Sequence, residues 1–169
     1  MSVEEDGTDE ILGNCSRILI HPDTGRIEGF FVTVPGFLRS EELFLSSFDI
    51  LRWGTRISVR DHNALAPIED RVRLQPLLEE RRPVFGQRIQ TEGGRFFGRC
   101  CDVQFDTRRF IVEWLFPKRL LRWGVPIPIS EVVEVRREAI VVREPSVKET
   151  AREEERAPLL QRLPEIAEA

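Results

Sequence analysis

The chain has 169 residues, 25 of them Lys or Arg and 29 Asp or Glu, with 41% hydrophobic residues and a net charge of −4. This length suits one domain or two very small ones, and the apolar share exceeds that of disordered chains, so we expect a packed core. The longest uncharged stretch, residues 29–38, is too short to span a bilayer, and the acidic N-terminus differs from a signal peptide. We therefore expect a cytoplasmic protein without a transmembrane segment.

The first predicted β unit covers residues 8–62. Ser16, Ile18 and Ile20 lie at alternate positions, and this period of two gives a half-buried strand one apolar face. No strand is evident before Gly13. A turn, a return strand and a closing strand are predicted at residues 21–25, 30–34 and 55–60.

Residues 63–83 are predicted to form short linking helices. Pro67 and Pro76 each suit a first helical turn, where the missing N–H has no intrahelical partner to lose. Acidic residues nearby favour the positive end of a helix dipole. This segment is therefore expected to join two barrels.

The second predicted β unit covers residues 84–145. Cys101, Val103 and Phe105 lie at alternate positions of a long strand, so Cys101 is expected to pack in the core. Its neighbour Cys100 is expected on the opposite face of that strand, as is Cys15 of the first unit. A return strand, a proline-flanked edge segment and a closing strand are predicted at residues 110–116, 126–128 and 139–143.

A charged tail is predicted at residues 146–169. Its first four residues fit a capping box before a helix, which Pro158 and Pro164 interrupt. Two alternatives stay open for this tail, a frayed segment and a helix that docks on a barrel or a partner. Docking would use its apolar residues Leu159, Leu160, Leu163 and Ile166.

The two units correspond at matched positions. Four pairs lie at one constant offset along the chain, namely Gly13 and Gly98, Cys15 and Cys100, Ile18 and Val103, and Ile20 and Phe105. Residues 45–46 match residues 129–130 at an offset that is shorter by one position. A repeated unit of about 60–65 residues with short strands predicts two small, closed or nearly closed β-barrels in tandem. The identical sequences at 51–54 and 121–124 fall outside this alignment and are interpreted as chance.

The order of glycines and strands in the second unit resembles a PRC-barrel domain. Residues 85–106 contain an opening glycine and strand, a glycine turn, a second glycine and a strand that ends at Asp106. Residues 127–130 and 132–142 resemble the closing segment of the family, and residues 21–29 resemble its hairpin. The family takes its name from a photosynthetic reaction-centre subunit and includes a domain of the ribosome maturation factor RimM. The resemblance implies a non-catalytic barrel that binds other proteins.

Charge is distributed unevenly along the chain. The net charge is −7 over residues 1–80, +6 over residues 81–143 and −3 over residues 144–169. Such asymmetry indicates either a partner-binding face or two halves that neutralise each other, within one molecule or between two. Electrostatics alone does not choose between these interpretations.

The residues that carry catalytic or metal chemistry are sparse. The only histidines, His21 and His62, lie in polar turns where solvated side chains are the simplest interpretation. Three cysteines are too few for a four-cysteine zinc site and too sparse for a disulfide framework. No glycine-rich phosphate loop is present. We therefore expect no catalytic residues, no cofactor and no metal.

Nucleic-acid binding is an alternative for the second unit, which is rich in arginine. Phe96, Phe97 and Trp114 are the residue types that stack on bases, but they lie in predicted strands and are more typical of a core. The whole protein has a pI of about 5.4, which weakens a sequence-independent grip on phosphates.

A protein-binding site is predicted in residues 116–124, where apolar anchors and arginines are interleaved. Trp and Arg are the residues most often found in interface hot spots. In the alternative interpretation, the apolar residues of this segment cover the open end of the barrel. The predicted site residues are Phe116, Arg119, Arg122 and Trp123.

The sequence therefore favours a non-catalytic adaptor that binds a protein partner. The alternative is a RimM-like role in ribosome maturation, with a ribosomal protein or RNA as the partner. The two barrels either pack as an internal pseudo-dimer or pair across two molecules as a homodimer, and the sequence does not choose between these arrangements.

Overall fold

The computed structural model describes residues 1–8, 10–36 and 39–144. The predicted tail at 146–169, with its capping box and apolar residues, lies outside the described residues. The fold is mainly β, as the sequence predicts, and consists of two sheets, one of which curls into a half-barrel.

The first sheet has the strand order β5-β6-β1-β2-β3-β4-β7. Its strands are β1 (Ser2–Glu5), β2 (Ile11–Ile20), β3 (Ile27–Val34), β4 (Glu41–Ser46), β5 (Ile50–Trp53), β6 (Ile57–Val59) and β7 (Leu65–Ala66). The first strand, β1, pairs antiparallel with β2 and parallel with β6, although no strand before Gly13 was evident from the sequence. Val3 is the only residue of β1 with an apolar, fully buried side chain. Because most of the residues around it are acidic, the alternation of apolar and polar residues that predicts a strand is not visible.

The second sheet has the strand order β11-β10-β9-β8-β14-β13, and β12 also pairs with β10. Its strands are β8 (Arg88–Thr91), β9 (Phe96–Asp106), β10 (Ile111–Arg119), β11 (Arg122–Trp123), β12 (Ile127–Pro128), β13 (Val132–Val135) and β14 (Ala139–Val142). The succession β13-β14-β8-β9-β10 follows the same path as β5-β6-β1-β2-β3 in the first sheet. In both sheets the closing strand is parallel to the first one, β6 to β1 and β14 to β8.

The long hairpins of both sheets have β-bulges at equivalent positions. In the pairing of β2 with β3, Ser16 and Glu28 are left without a partner. In the pairing of β9 with β10, Cys101 and Glu113 are left without one. These two pairs of residues are related by the same offset as Gly13 and Gly98. A bulge inserts one unpaired residue and bends the strand. The 3-10 turns that follow are Ser47–Asp49 and Ile129–Glu131, so residues 129–130 correspond to 47–48 and not to 45–46 as predicted.

The bulge at Cys101 reverses the expected roles of the two adjacent cysteines. An unpaired residue resets the alternation of a strand, so Cys100 lies on the same face as Val103 and Phe105. Cys100 is fully buried in the core, and Cys101 is half-buried. The sequence-based placement of Cys101 in the core is therefore wrong, because strict alternation was assumed. Cys15 packs against the same core.

The two units join where their long hairpins turn. The Ile27 N–H donates to the Phe110 carbonyl at 2.7 Å, and the Val112 N–H donates to the Gly25 carbonyl at 2.9 Å. Between these hydrogen bonds, Arg26 forms an antiparallel bridge with Ile111. We call this pair of hydrogen bonds the junction. Gly25 and Phe110 both have positive φ angles, 66° and 53°, which turns their carbonyl groups toward the other hairpin.

Each hairpin turn is closed by a polar side chain at its start. The Nδ1 atom of His21 accepts from the Asp23 N–H at 3.2 Å, and Oδ1 of Asp106 accepts from the Arg108 N–H at 2.8 Å. Asp106 also pairs with the Arg109 guanidinium at 2.8 Å. The hydrogen bond from Arg109 and the two backbone N–H groups lower the pKa of Asp106 to about 2.

An aromatic cluster packs across the two units beside the junction. Trp53 of β5 lies 5.2 Å from Phe105 and 5.8 Å from Phe110, between ring centroids. Phe30 of β3 lies 5.0 Å from Trp53 and 6.4 Å from Phe105. Besides a smaller core within the first sheet, the two units therefore share a core that extends across both of them. Trp53 belongs to this core whereas Trp123 is 57% exposed, so the identical sequences around them occupy different environments.

The linker contains the predicted short helices. They are the 3-10 turns Ile68–Asp70 and Val72–Leu74 and the helix α1 (Gln75–Glu80), with Pro76 in its first turn. Arg73 donates at 2.9 Å to Glu28, a bulge residue that is 4% exposed. Arg82 pairs with Asp23 of the first unit and also donates to the Val135 carbonyl of the second at 3.2 Å. The linker is thus fixed to both sheets.

Replacement of Gly29 by alanine is expected to destabilise the first sheet. Gly29 lies opposite Ser46 of β4, and an added Cβ would lie 2.5 Å from the Phe44 ring and would also contact the Leu45 carbonyl. Overpacking of this kind costs roughly 1–3 kcal/mol. Urea unfolding would measure the loss for Gly29→Ala. Gly54→Ala is the control, since its added Cβ meets only the Arg56 carbonyl at 3.9 Å, and an equal loss in both variants would contradict the prediction.

The Asp106 turn is expected to make stability depend on pH in the acidic range. Because folding lowers the pKa of Asp106 to about 2, its stabilising contribution is complete above the ordinary value of 3.8 and is lost as pH falls toward 2. Asp106→Asn should therefore lower the urea midpoint at neutral pH, and the difference from the native chain should shrink between pH 4 and about 2. A difference that stays constant over that range would assign the effect to something other than the carboxylate charge.

Candidate functional site

The predicted protein-binding residues lie on the β10–β11 hairpin. Lys118 pairs with Trp123 and Arg119 pairs with Arg122, so Leu120 and Leu121 form a two-residue turn between the strands. The hairpin projects these two leucines into solvent, and each is 92% exposed. We call Arg119, Leu120, Leu121, Arg122 and Trp123 the hairpin tip.

The backbone at Leu120 is strained. Its φ of 54° lies in the left-handed region, which costs a residue with a side chain roughly 1–2 kcal/mol. Two-residue hairpin turns ordinarily place glycine or asparagine at such a position. An exposed leucine there contributes neither to the core nor to turn stability, and strained positions of this kind are concentrated at functional sites.

The structure brings three of the four predicted residues to the tip. Arg119, Arg122 and Trp123 are exposed there, whereas Phe116 lies farther back on β10, half-buried and paired with Asp102. The exposure of both leucines is inconsistent with the alternative that they cover the open end of a barrel.

The hairpin tip is cationic as well as apolar. The Lys118 ammonium lies over the Trp123 ring at 5.0 Å from its centroid, and the Arg119 guanidinium lies 5.9 Å from the centroid of Phe96. Neither these two cations nor Arg122 makes a salt bridge to any described residue. The tip therefore offers an apolar surface surrounded by positive charge, which suits an apolar pocket with an acidic rim.

A second feature is an apolar cleft between the two units, with a volume of about 750 Å³. It lies between β2 and β9, next to the aromatic cluster, and α1 and the segment after it form one wall. The cleft was not evident from the sequence because its walls come from distant segments that only the junction brings together. The apolar residues that line it include Ile18, Phe30, Trp53, Leu77, Leu78, Val84, Val103 and Phe105.

Arginines surround the cleft, and most of them are engaged. Arg17 pairs with Glu42, Arg82 pairs with Asp23, and Arg137 donates to the Glu80 carbonyl at 3.1 Å. The hydrogen bond from Arg82 lowers the pKa of Asp23. Arg81 ends α1 with a left-handed φ of 51°, and its side chain makes no hydrogen bond or ion pair with a described residue.

The cysteines differ in their surroundings, and this decides which of them a reagent or ligand can reach. Cys15 lines the cleft, and burial raises the pKa of its thiol. Burial raises the pKa of Cys100 to about 12. Cys101 is half-buried and does not line the cleft. All three thiols are free.

Metal-ligating groups do not converge in the part of the chain that the structure describes. In residues 1–8, 10–36 and 39–144, no three His, Cys, Asp or Glu side chains are placed to hold a metal ion. His21 closes a turn through its Nδ1 atom, and His62 is exposed at the start of a 3-10 turn. Within the same ranges, no helix has the length and apolar character needed to cross a membrane.

The comparisons with known proteins give no family for this chain. Its sequence matches no protein-family model and no curated protein at a significant level. The hairpin tip and the cleft are therefore interpreted from their own geometry and chemistry.

Replacement of Leu120 by glycine is expected to stabilise the folded chain. Glycine removes the left-handed strain, which stabilises the fold by roughly 1–2 kcal/mol. Because glycine also loses more conformational entropy on folding, roughly 0.5–1 kcal/mol of this gain is offset. A net gain of about 0.5–1 kcal/mol should appear in urea or thermal unfolding of Leu120→Gly. Leu121→Gly is the matched control, because Leu121 has no positive φ. Equal effects of the two substitutions would show that strain at Leu120 is not the cause.

Proposed function

We propose that the protein is a non-catalytic interaction module built from two PRC-type units in tandem, and that the hairpin tip binds its protein partner. The observation that carries this proposal is the pair of leucines at 92% exposure, one of them in a strained turn. Neither leucine contributes to packing within the described residues, so both remain available for burial against a partner.

The tandem arrangement is supported by features of the backbone that composition does not impose. The two sheets share a strand path with a parallel closing pair, and their long hairpins have bulges at equivalent positions. Bulges are features of a fold and not defects, so their occurrence at equivalent positions supports an origin by duplication. The glycines Gly13 and Gly98 also correspond, and an added Cβ at either would meet a backbone oxygen of the neighbouring strand.

The chemistry of the tip defines the partner. Leu120 and Leu121 would insert into an apolar pocket, while Trp123 would pack at its margin. Arg119 and Arg122 would meet carboxylates at the rim and accelerate association through electrostatic attraction. The energy of binding is expected to reside mainly in Trp123 and Arg122, because these residue types dominate interface hot spots.

Replacement of Arg122 and Trp123 by alanine is expected to abolish capture of the partner without unfolding the protein. Both side chains are exposed, and hot-spot residues contribute about 2 kcal/mol or more each, about a thirtyfold loss of affinity. Partners captured from native extract by cross-linking would be identified by mass spectrometry and then tested for binding as purified proteins. Circular dichroism would confirm that the variant is folded.

Val72→Ala is the matched control, because Val72 is 78% exposed but lies on the linker. It should retain full binding. Unchanged capture by the Arg122 and Trp123 variant would exclude the hairpin tip as the binding element. Co-sedimentation with ribosomal particles that is lost in the tip variant would instead support the RimM-like alternative.

A further inference from the structure

The cleft between the two units has the dimensions of a small-molecule site. Its volume of about 750 Å³ lies within the range of roughly 300–1,000 Å³ typical of ligand pockets. Its walls come from three separate elements, with Ile18 on β2, Leu78 on α1 and Val103 on β9. All three side chains are only partly buried in the described chain. An apolar occupant would remove this surface from water.

Positively charged side chains outnumber negatively charged ones in the lining of the cleft. Asp102 is the only carboxylate among the described residues that line it, and the other charged side chains there are arginines. Arg17 and Arg82 already pair with carboxylates. Arg81 remains as a guanidinium without a partner among the described residues, on the wall next to Leu77 and Leu78.

We propose that this cleft binds a long-chain carboxylic acid, with the alkyl chain between the two sheets and the carboxylate paired with Arg81. Guanidinium and carboxylate groups form two parallel hydrogen bonds, which fixes the head group at the mouth. The apolar walls of the cleft would bind the alkyl chain of the ligand by burying it, which requires no polar groups along that alkyl chain. This site is separate from the hairpin tip, so it does not depend on the proposed interaction function.

The affinity of the site is expected to increase with the length of the ligand's alkyl chain. Each added methylene should tighten binding about fourfold until the chain fills the cleft, which is the fold-change that corresponds to burial of one CH₂. Octanoate, decanoate and dodecanoate would be titrated by calorimetry below the concentrations at which they form micelles. Affinity that does not change with chain length would contradict burial of the chain.

Cys15 provides a reporter inside the site, and Cys101 provides a reference outside it. Saturating decanoate should slow the alkylation of Cys15 at least about tenfold and leave the rate at Cys101 unchanged, as measured by mass spectrometry at alkaline pH. Decyltrimethylammonium at the same concentration should give no protection. Equal protection by both amphiphiles, or slowing at both thiols, would overturn the proposal, because neither result requires a site for a carboxylate.

Arg81→Gln tests the head-group contact, and it retains a side chain at the left-handed position. Decanoate binding should weaken about tenfold, decanol binding should not change, and Arg81→Lys should restore part of the decanoate affinity. Arg108→Gln is the control, since this exposed arginine lies in the β9–β10 turn, away from the cleft lining. Equal decanoate affinity in the Arg81→Gln variant and the native chain would exclude Arg81 as the partner of the carboxylate.

Occupation of the cleft by the C-terminal segment would give a different pattern of Cys15 alkylation. If residues 146–169 fill it, Cys15 of the full chain would resist alkylation without any ligand and would become reactive in Leu160→Asp. That outcome, with no binding of decanoate to the native chain, would overturn the proposal.

Discussion

The organisation of this protein depends on two backbone hydrogen bonds that join the turn ends of its long hairpins. Through the junction, Gly25 and Phe110 present their carbonyls to the N–H groups of Val112 and Ile27. These groups would otherwise need water or another partner. Their pairing fixes the two sheets closely enough for Phe30 and Trp53 to pack on the aromatic rings of the second unit, and it places the walls of the cleft opposite each other.

The opposite net charges of the two units contribute little to holding them together. The salt bridges between described residues lie within one unit or involve the linker, as Arg73 with Glu28 and Arg82 with Asp23 illustrate. The direct contacts between units are apolar and backbone contacts. The positive charge of the second unit therefore remains available at the hairpin tip, where cations surround two exposed leucines. A surface of this kind favours association with an acidic partner.

Much of the fold could be predicted because glycine spacing and apolar alternation are local properties. The mainly β architecture, the constant offset between the two long hairpins and Pro76 in the first turn of α1 all follow from such patterns. The cysteine pair could not be assigned correctly, because the bulge at Cys101 is visible only in the strand register. The strand β1 was missed since a single valine provides its core contact. The tip residues Arg119, Arg122 and Trp123 were found from composition, whereas the strained turn at Leu120 needed the backbone angles.

The sequence alone determined the β class, the matched spacing of the two long hairpins and the segment with interleaved arginine and apolar residues. These features arise from residue identity and short-range periodicity, which do not depend on how distant segments meet. The tertiary structure decided that one core extends across both units, that Cys100 and not Cys101 is buried, and that a cleft with Arg81 on its wall lies between the sheets. Each of these depends on strand register and on the junction, where contacts between residues far apart in the sequence determine which side chains face each other.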